Sequence, residues 1–446
     1  MKFQLNTYSI VFYWMISILV LISYFYSFYP GYMSSDSALQ YKQVISGDWN
    51  TISPIIMVIL WNITNGIVDG PGGLFVLFYF LFWLGLVLFT YNLKLNFWVK
   101  SLIFAVIALW PYNLMILPHL WKDVGLISFI VLSIGCVQLH LKTNKKHPLF
   151  IALLTLLIAA LFRFESIVYI GVLQFYVILL IFRAYQQQRK IILKTVGSGF
   201  LVIIASVLIS QAIVNITNSK KIILWQTIAL WDLSRVSVKV DKVLLPDFCI
   251  GPDLSTQDLS NATVPWTNTQ LFWKTKAGMN SGLDMPYKDS QYKVLFNKWL
   301  SMLAEYPLEY LTHRIEVIND LLRFDESSNK PIDLYFSRKI STYNNLFKLN
   351  NSQLNKEITN GIKSNLDNIV FKGWIYLLFL FVIFIYFVSK RKTNQSEFIL
   401  ILSLSGIFSI IILTFVAPSA EQRYLVWLIN SSLLIMPLLL QKRHIN

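Results

Sequence analysis

Ten stretches of this chain run apolar for 15 to 22 residues each, and no other feature limits its fold as tightly. A helix rises about 1.5 Å per residue and the hydrocarbon core of a bilayer is roughly 30 Å thick, so runs of this length read as membrane spans. They cover residues 8–29, 71–90, 98–117, 121–139, 148–162, 166–182, 195–215, 372–388, 398–416 and 423–440. The fifth and sixth are short because Arg163 and Glu165 interrupt LFRFESIVYI. Charges at mid-membrane are costly, so the chain is expected to turn there, at an aqueous surface or a water-filled cavity. An eleventh run, 53–67, is taken as an interfacial or partly inserted segment. With 55% hydrophobic and 14% charged residues, the sequence predicts an all-α polytopic membrane protein of about 10 to 11 transmembrane helices and excludes a soluble domain.

Basic residues orient the spans, because short cytoplasmic loops collect Lys and Arg. From the second span onward, alternate loops hold Lys94, Lys100, Lys142, Lys145, Lys146, Arg183, Arg189, Lys190, Lys194, Lys390, Arg391, Lys392, Lys442 and Arg443. The opposite short turns hold Lys122, Arg163 and Arg423, each with an acidic neighbour, Asp123, Glu165 or Glu421. The first set is expected to be cytoplasmic, together with both termini, which leaves the loop 30–52 outside the cell membrane. Membrane orientation and anionic headgroups account for the net charge of +15 without a nucleic-acid partner. The first run is too long and aromatic for a cleaved signal, and no small-residue cleavage site precedes YPGYM. Cys136 falls in the fourth span and Cys249 in the exterior block, so no disulfide between them is expected.

The chain divides into an N-terminal transmembrane domain (1–216), an extracytoplasmic block (217–370) and C-terminal transmembrane helices (371–446). In the block, VKVDKVLLPDFCIGPDLSTQDLSNATVPW reads as irregular chain with Pro, Gly and Asp turns. Helical spacing begins at 289–303 and again at 307–322, the second opening with Pro in its first turn. The Asn- and Lys-rich stretch 340–368 is expected to be mobile or partly ordered. Trp225, Trp231, Trp266, Trp273 and Trp299 suit packing onto the membrane domain or a place at headgroup level, which makes the block a lid rather than an independent enzyme.

Four polar groups fall on the outer side. In YPGYMSSDSALQYKQ, Asp36 opens a helically spaced stretch that brings Gln40 to the same face; Ser35 or Asp36 also suits a helix cap. PHLWKDVG puts Lys122 and Asp123 in a short turn, where ordinary turn charges are the competing reading. Arg163 with Glu165 is either a structural ion pair or an anion contact. In SAEQRYLVW, Arg423 and Tyr424 open the last span, to anchor it in the interface or to hold a phosphate. One carboxylate and several cations near lipid suit a lipid-phosphate substrate, with the carboxylate as general base and the cations on the leaving phosphate.

The order of these features resembles the polytopic glycosyltransferases of the GT-C superfamily, and more narrowly membrane proteins of this type from Gram-positive bacteria. The similar segments are YPGYMSSDSALQY with GDWNTISPII, WPYNLMILPHLWKDVG, ALFRFESI, LAEYPLEYLTHRI and APSAEQRYLVW. The resemblance implies a GT-C-like fold and inverting transfer of a sugar from a polyprenyl-phosphate donor to a hydroxyl of a glycan, lipid or protein acceptor. It implies Asp36 as base, with Lys122, Arg163 or Arg423 on the phosphate. Where many such proteins have His-Pro or Pro-Pro, this chain has Ser53-Pro54. It also lacks an Asp-x-Asp motif after the first span and any zinc-type spacing, so metal-independent chemistry without a cofactor is expected. A polymerase or ligase using diphosphate-linked oligosaccharides is an alternative. A lipid-linked saccharide flippase is another, although intramembrane charges along a path and two similar halves are not evident.

Overall fold

The computed structural model describes residues 2–185, 190–249, 254–269, 271, 288–324, 352–390 and 393–441. Trp273 and the basic residues Arg189, Arg391, Lys392, Lys442 and Arg443 lie outside the described residues. The N-terminal part holds α1 (Lys2–Phe28), α2 (Ser35–Ser46), α3 (Ile55–Asn65), α4 (Gly72–Tyr91), α5 (Phe97–Ala108), α6 (Pro111–Ile116) and α7 (Lys122–Thr143), then α8 (His147–Ala160), α9 (Ile167–Ala184) and α10 (Ile191–Ile216). The block between membrane helices carries α11 (Trp225–Val240), α12 (Thr256–Ala262), α13 (Asp289–Glu305), α14 (Pro307–Leu322) and α15 (Gln353–Ser364). The chain then continues as α16 (Gly373–Val388), α17 (Asn394–Val416) and α18 (Val426–Leu440). Among the described residues there is no strand, only isolated bridges.

Among the described residues, seven helical segments are long and apolar enough to cross a membrane: Thr7–Phe28, Gly72–Tyr91, Lys122–Thr143, Phe164–Ala184, Ile191–Ile216, Asn394–Val416 and Gln422–Leu440. The architecture is that of an all-helical, multi-pass membrane protein. Four shorter apolar helices, α3, α5, α8 and α16, accompany them. At about 1.5 Å per residue the 11 residues of α3 cover only about 16 Å, half a hydrocarbon core, in keeping with a partly inserted segment.

Helix α7 is the centre of the bundle, buried along nearly its whole length. Its contact with α4 is made backbone to backbone. A methyl group added to Gly135 would lie 2.4 Å from the carbonyl oxygen of Gly85, and one on Gly85 would lie 2.5 Å from the amide of Leu132. Glycine at both positions is what allows this approach.

Two expectations are corrected and a third is given detail. The apolar run 98–117 is not one span: α5 ends at Ala108 and α6 starts anew at Pro111. Proline has no amide hydrogen to continue a helix and disfavours helical backbone in the residue before it, and Trp110 is extended at ψ 130°. The block's first part is not wholly irregular: α11 takes in Val238, Lys239 and Val240, and α12 begins with a capping box in which Ser255 and Asp258 exchange bonds. Within 340–368, residues 353–364 form α15, anchored because Asn355 donates to the Ser27 carbonyl at 2.8 Å and to the Tyr32 hydroxyl at 2.5 Å. Residues 340–351 lie outside the described residues. The helices read at 289–303 and 307–322 are present as α13 and α14. Cys136 and Cys249 are both buried, and no disulfide joins them.

The two charge classes occupy opposite ends of the bundle. Lys100 and Lys142 both donate to the Tyr91 carbonyl, at 2.7 and 3.3 Å, and the Lys94 amide donates to Gln441 at 2.8 Å. At the same end Gln395 reaches the Leu438 carbonyl at 2.6 Å and Arg183 pairs with Glu397 at 2.5 Å. Lys122 starts α7, whose 22 residues carry the chain about 33 Å to that end. Arg163 and Arg423 gather beside Lys122, at the start of α7.

Candidate functional site

Backbone bonds bring the loop between α1 and α2 against the turn before α7. The Tyr32 amide donates to the Pro118 carbonyl at 2.8 Å, and the Leu120 amide donates back to the Tyr32 carbonyl at 2.9 Å. Trp121 Nε1 donates to Ser34 Oγ at 2.8 Å, and Ser37 Oγ donates to the Leu120 carbonyl at 2.8 Å. Ser34 is therefore both the cap of α2 and a strut to α7. Neither Ser35 nor Asp36 is the cap, so the Asp36 carboxylate is left for other partners. Asp36 in α2 and Asp123 in α7 come to lie in one cluster.

Two further breaks in the bundle supply arginines. Between α8 and α9 the backbone of Arg163 is extended (φ −147°, ψ 125°) and a short 3-10 turn, Phe164–Ser166, follows. Arg163 pairs with Asp123 through Nη1, and Nε donates to Glu165 Oε1 at 2.6 Å. Before α18, the 3-10 turn Gln422–Leu425 carries Arg423. Its Nη1 donates to Asp36 Oδ2 at 2.7 Å; its Nε lies 2.5 Å from Glu421 Oε2 and 3.9 Å from Asp123 Oδ2. The ring of Tyr424 lies 4.4 Å from the Arg163 guanidinium carbon and 5.5 Å from that of Arg423; Trp121 is 5.1 Å from Arg423. Aromatic faces at these distances favour cations and hold the planar groups in place.

Exposure separates the carboxylates. The Asp123 side chain is 2% exposed and serves both arginines, Glu165 and Glu421 are 23% and 25% exposed, and Asp36 is 58% exposed. A buried carboxylate between two guanidiniums is a charge-compensating element. Asp36, by contrast, is open to solvent. Enclosure in the cluster pushes the Asp36 carboxyl pKa up, but the Arg423 charge and hydrogen bond, with the charges of Lys122 and Arg163, outweigh this and hold it below the ordinary carboxylate value. Among the described residues Lys122 has no ion-pair or hydrogen-bond partner, although it shares the field of Asp36, Asp123 and Glu165.

Six of the residues read from the sequence thus form one contiguous cluster: Asp36, Asp123, Arg163, Glu165, Arg423 and Tyr424. Lys122 is the seventh member through its charge. Gln40 is not drawn in: it lies one turn along α2, buried, with its amide nitrogen unpartnered among the described residues. Glu421, which the sequence already placed beside Arg423, joins the cluster, and sequence reading left out one contributor, Ser419. Ser419 Oγ donates to Glu421 Oε1 at 2.9 Å and lies 3.3 Å from the Tyr424 hydroxyl. Its signal was present in SAEQRY, where Ser419 and Glu421 are two apart, but a two-residue spacing selects no common face until the turn is known. Among the described residues no group of three or more His, Cys, Asp or Glu side chains is arranged to hold a metal ion.

No protein-family model, no curated protein and no solved structure matches this chain.

Proposed function

We propose that the protein is a GT-C-like glycosyltransferase of the bacterial cell membrane, with the cluster at the outer face and both termini cytoplasmic. It moves a sugar from a polyprenyl-phosphate donor to an acceptor hydroxyl. One observation carries the reading: an exposed carboxylate, Asp36, stands 2.7 Å from an arginine, Arg423, at one end of a bundle of lipid-facing helices. A base and an anion-binding group side by side at a membrane surface match a donor whose tail stays in lipid while its headgroup reacts in water.

In this reaction the acceptor hydroxyl loses its proton to the Asp36 carboxylate as its oxygen forms a bond to the anomeric carbon. The bond from that carbon to the phosphate oxygen breaks, and the electron pair leaves on the phosphate. Arg423 and Lys122 neutralise the departing charge, with Arg163 behind them. Asp123, Glu165 and Glu421 hold the guanidiniums in position.

The test is release of polyprenyl phosphate from a panel of polyprenyl-phosphate sugars by the purified protein in lipid nanodiscs, offered cell-envelope glycans as acceptors. Transfer from at least one donor supports the reading. Turnover only with diphosphate-linked oligosaccharides, or movement of lipid-linked sugar between leaflets without bond cleavage, replaces it.

A further inference from the structure

The exterior block contains a second buried ionic group, well apart from the first in sequence. Asp232 of α11 and His313 and Arg314 of α14 are all fully buried. Asp232 Oδ1 lies 2.6 Å from Arg314 Nη2 and 3.3 Å from His313 Nε2, and Asp232 Oδ2 accepts from Trp299 Nε1 of α13 at 2.9 Å. This pairs α11, α13 and α14 to one carboxylate. The other arm of Arg314 leaves the block: Nη1 donates to the carbonyl of Ala417 at 2.9 Å.

Ala417 begins the loop that carries Glu421, Arg423 and Tyr424. The same loop is held by the block at three more points. The Asn268 amide donates to the Pro418 carbonyl at 3.2 Å, the Ala420 amide donates to the Trp266 carbonyl at 2.7 Å, and Gln422 Nε2 donates to the Leu321 carbonyl at 3.1 Å. The loop is thus suspended from the exterior block, and Arg314 holds its first residue.

We propose that Arg314, fixed by Asp232, is a positioning residue that sets Arg423 against Asp36; its role in turnover rests on the glycosyltransferase reading. A guanidinium is required because two partners in different directions are served at once, Asp232 by one terminal nitrogen and Ala417 by the other. A lysine at this position keeps the charge opposite Asp232 but loses the fork. Removing the charge altogether strands a buried carboxylate and endangers the fold.

Arg314→Lys is therefore the informative variant, with Thr312→Ala, an exposed position on the same helix, as control. Hydrogen exchange of the purified full-length protein in nanodiscs is followed across residues 417–424, which needs no substrate. The expected result is roughly three- to tenfold faster exchange there in Arg314→Lys, as loss of one hydrogen bond allows, with the exchange of α7 unchanged. Unaltered exchange across 417–424 in a folded variant overturns the proposal, as does faster exchange spread evenly over the protein. Where the wild type transfers sugar, the acid limb of kcat/KM in Arg314→Lys moves up by roughly one pH unit, because Asp36 loses part of the charge of Arg423 while keeping Lys122 and Arg163. An unmoved acid limb overturns it. If the wild type transfers nothing, exchange alone decides the positioning claim, and the two failures remain distinct.

Discussion

Asp36 and Arg423 are separated by 387 residues and joined by a hydrogen bond of 2.7 Å. The bond exists because two loops, each short and apolar-flanked, are tied to the turn before α7 and to the block between α10 and α16. Its partners differ in kind: Asp36 is open to solvent, and Arg423 is almost enclosed.

This difference predicts a pH dependence. Asp36 is held below the ordinary carboxylate value, so it is ionised throughout the neutral range and its contribution is lost only as pH falls through that lowered value. The acid limb of kcat/KM for the wild type is expected below the ordinary carboxylate range. In Arg423→Gln the limb moves upward by roughly one unit or more. A pH–rate profile of both proteins checks the sign.

Asp123 should behave unlike Asp36. It is buried between Arg163 and Arg423, so Asp123→Leu leaves two guanidiniums without their shared counter-charge. A loss of about 3 to 5 kcal/mol in stability is expected, against less than about 1 kcal/mol for Asp36→Asn. Thermal unfolding in detergent, followed at several detergent concentrations, compares the two.

Lys122 has no ion-pair partner among the described residues, and a phosphate is the partner the proposed reaction supplies. Lys122→Met is expected to raise the donor KM by about ten- to a hundredfold, the worth of one charged hydrogen bond, with little change in melting temperature. Steady-state kinetics at varied donor concentration measures it.

The α4–α7 contact carries a prediction about the fold alone. Gly135→Ala places a methyl group 2.4 Å from the Gly85 carbonyl, where backbone rather than a flexible side chain must give way. A loss of at least about 1 to 3 kcal/mol is expected, read as reduced yield of folded protein and a lower melting temperature.

Much of this architecture was legible in the sequence because membrane helices are set by uninterrupted apolar length. The sequence also marked the clustered residues, since Arg163 breaks an apolar run and Asp123 and Arg423 sit where such runs begin. Hydropathy concealed the break at Pro111, because Trp110 and Pro111 leave the run apolar while ending the helix. Composition left the helix at 353–364 unmarked: the segment is poor in apolar residues, and what anchors it is tertiary, Asn355 on Ser27 and Tyr32. The pairing of Asp123 with two arginines, and the hold of Arg314 on Ala417, were beyond sequence reading because each joins residues whose neighbourhood only the folded chain creates.

The most direct test of the account is transfer by Asp36→Asn at saturating donor, with donor binding measured on the same preparation. The account predicts kcat lower by about 10² to 10⁴ with donor affinity and melting temperature retained. Equal turnover in Asp36→Asn and wild type contradicts it.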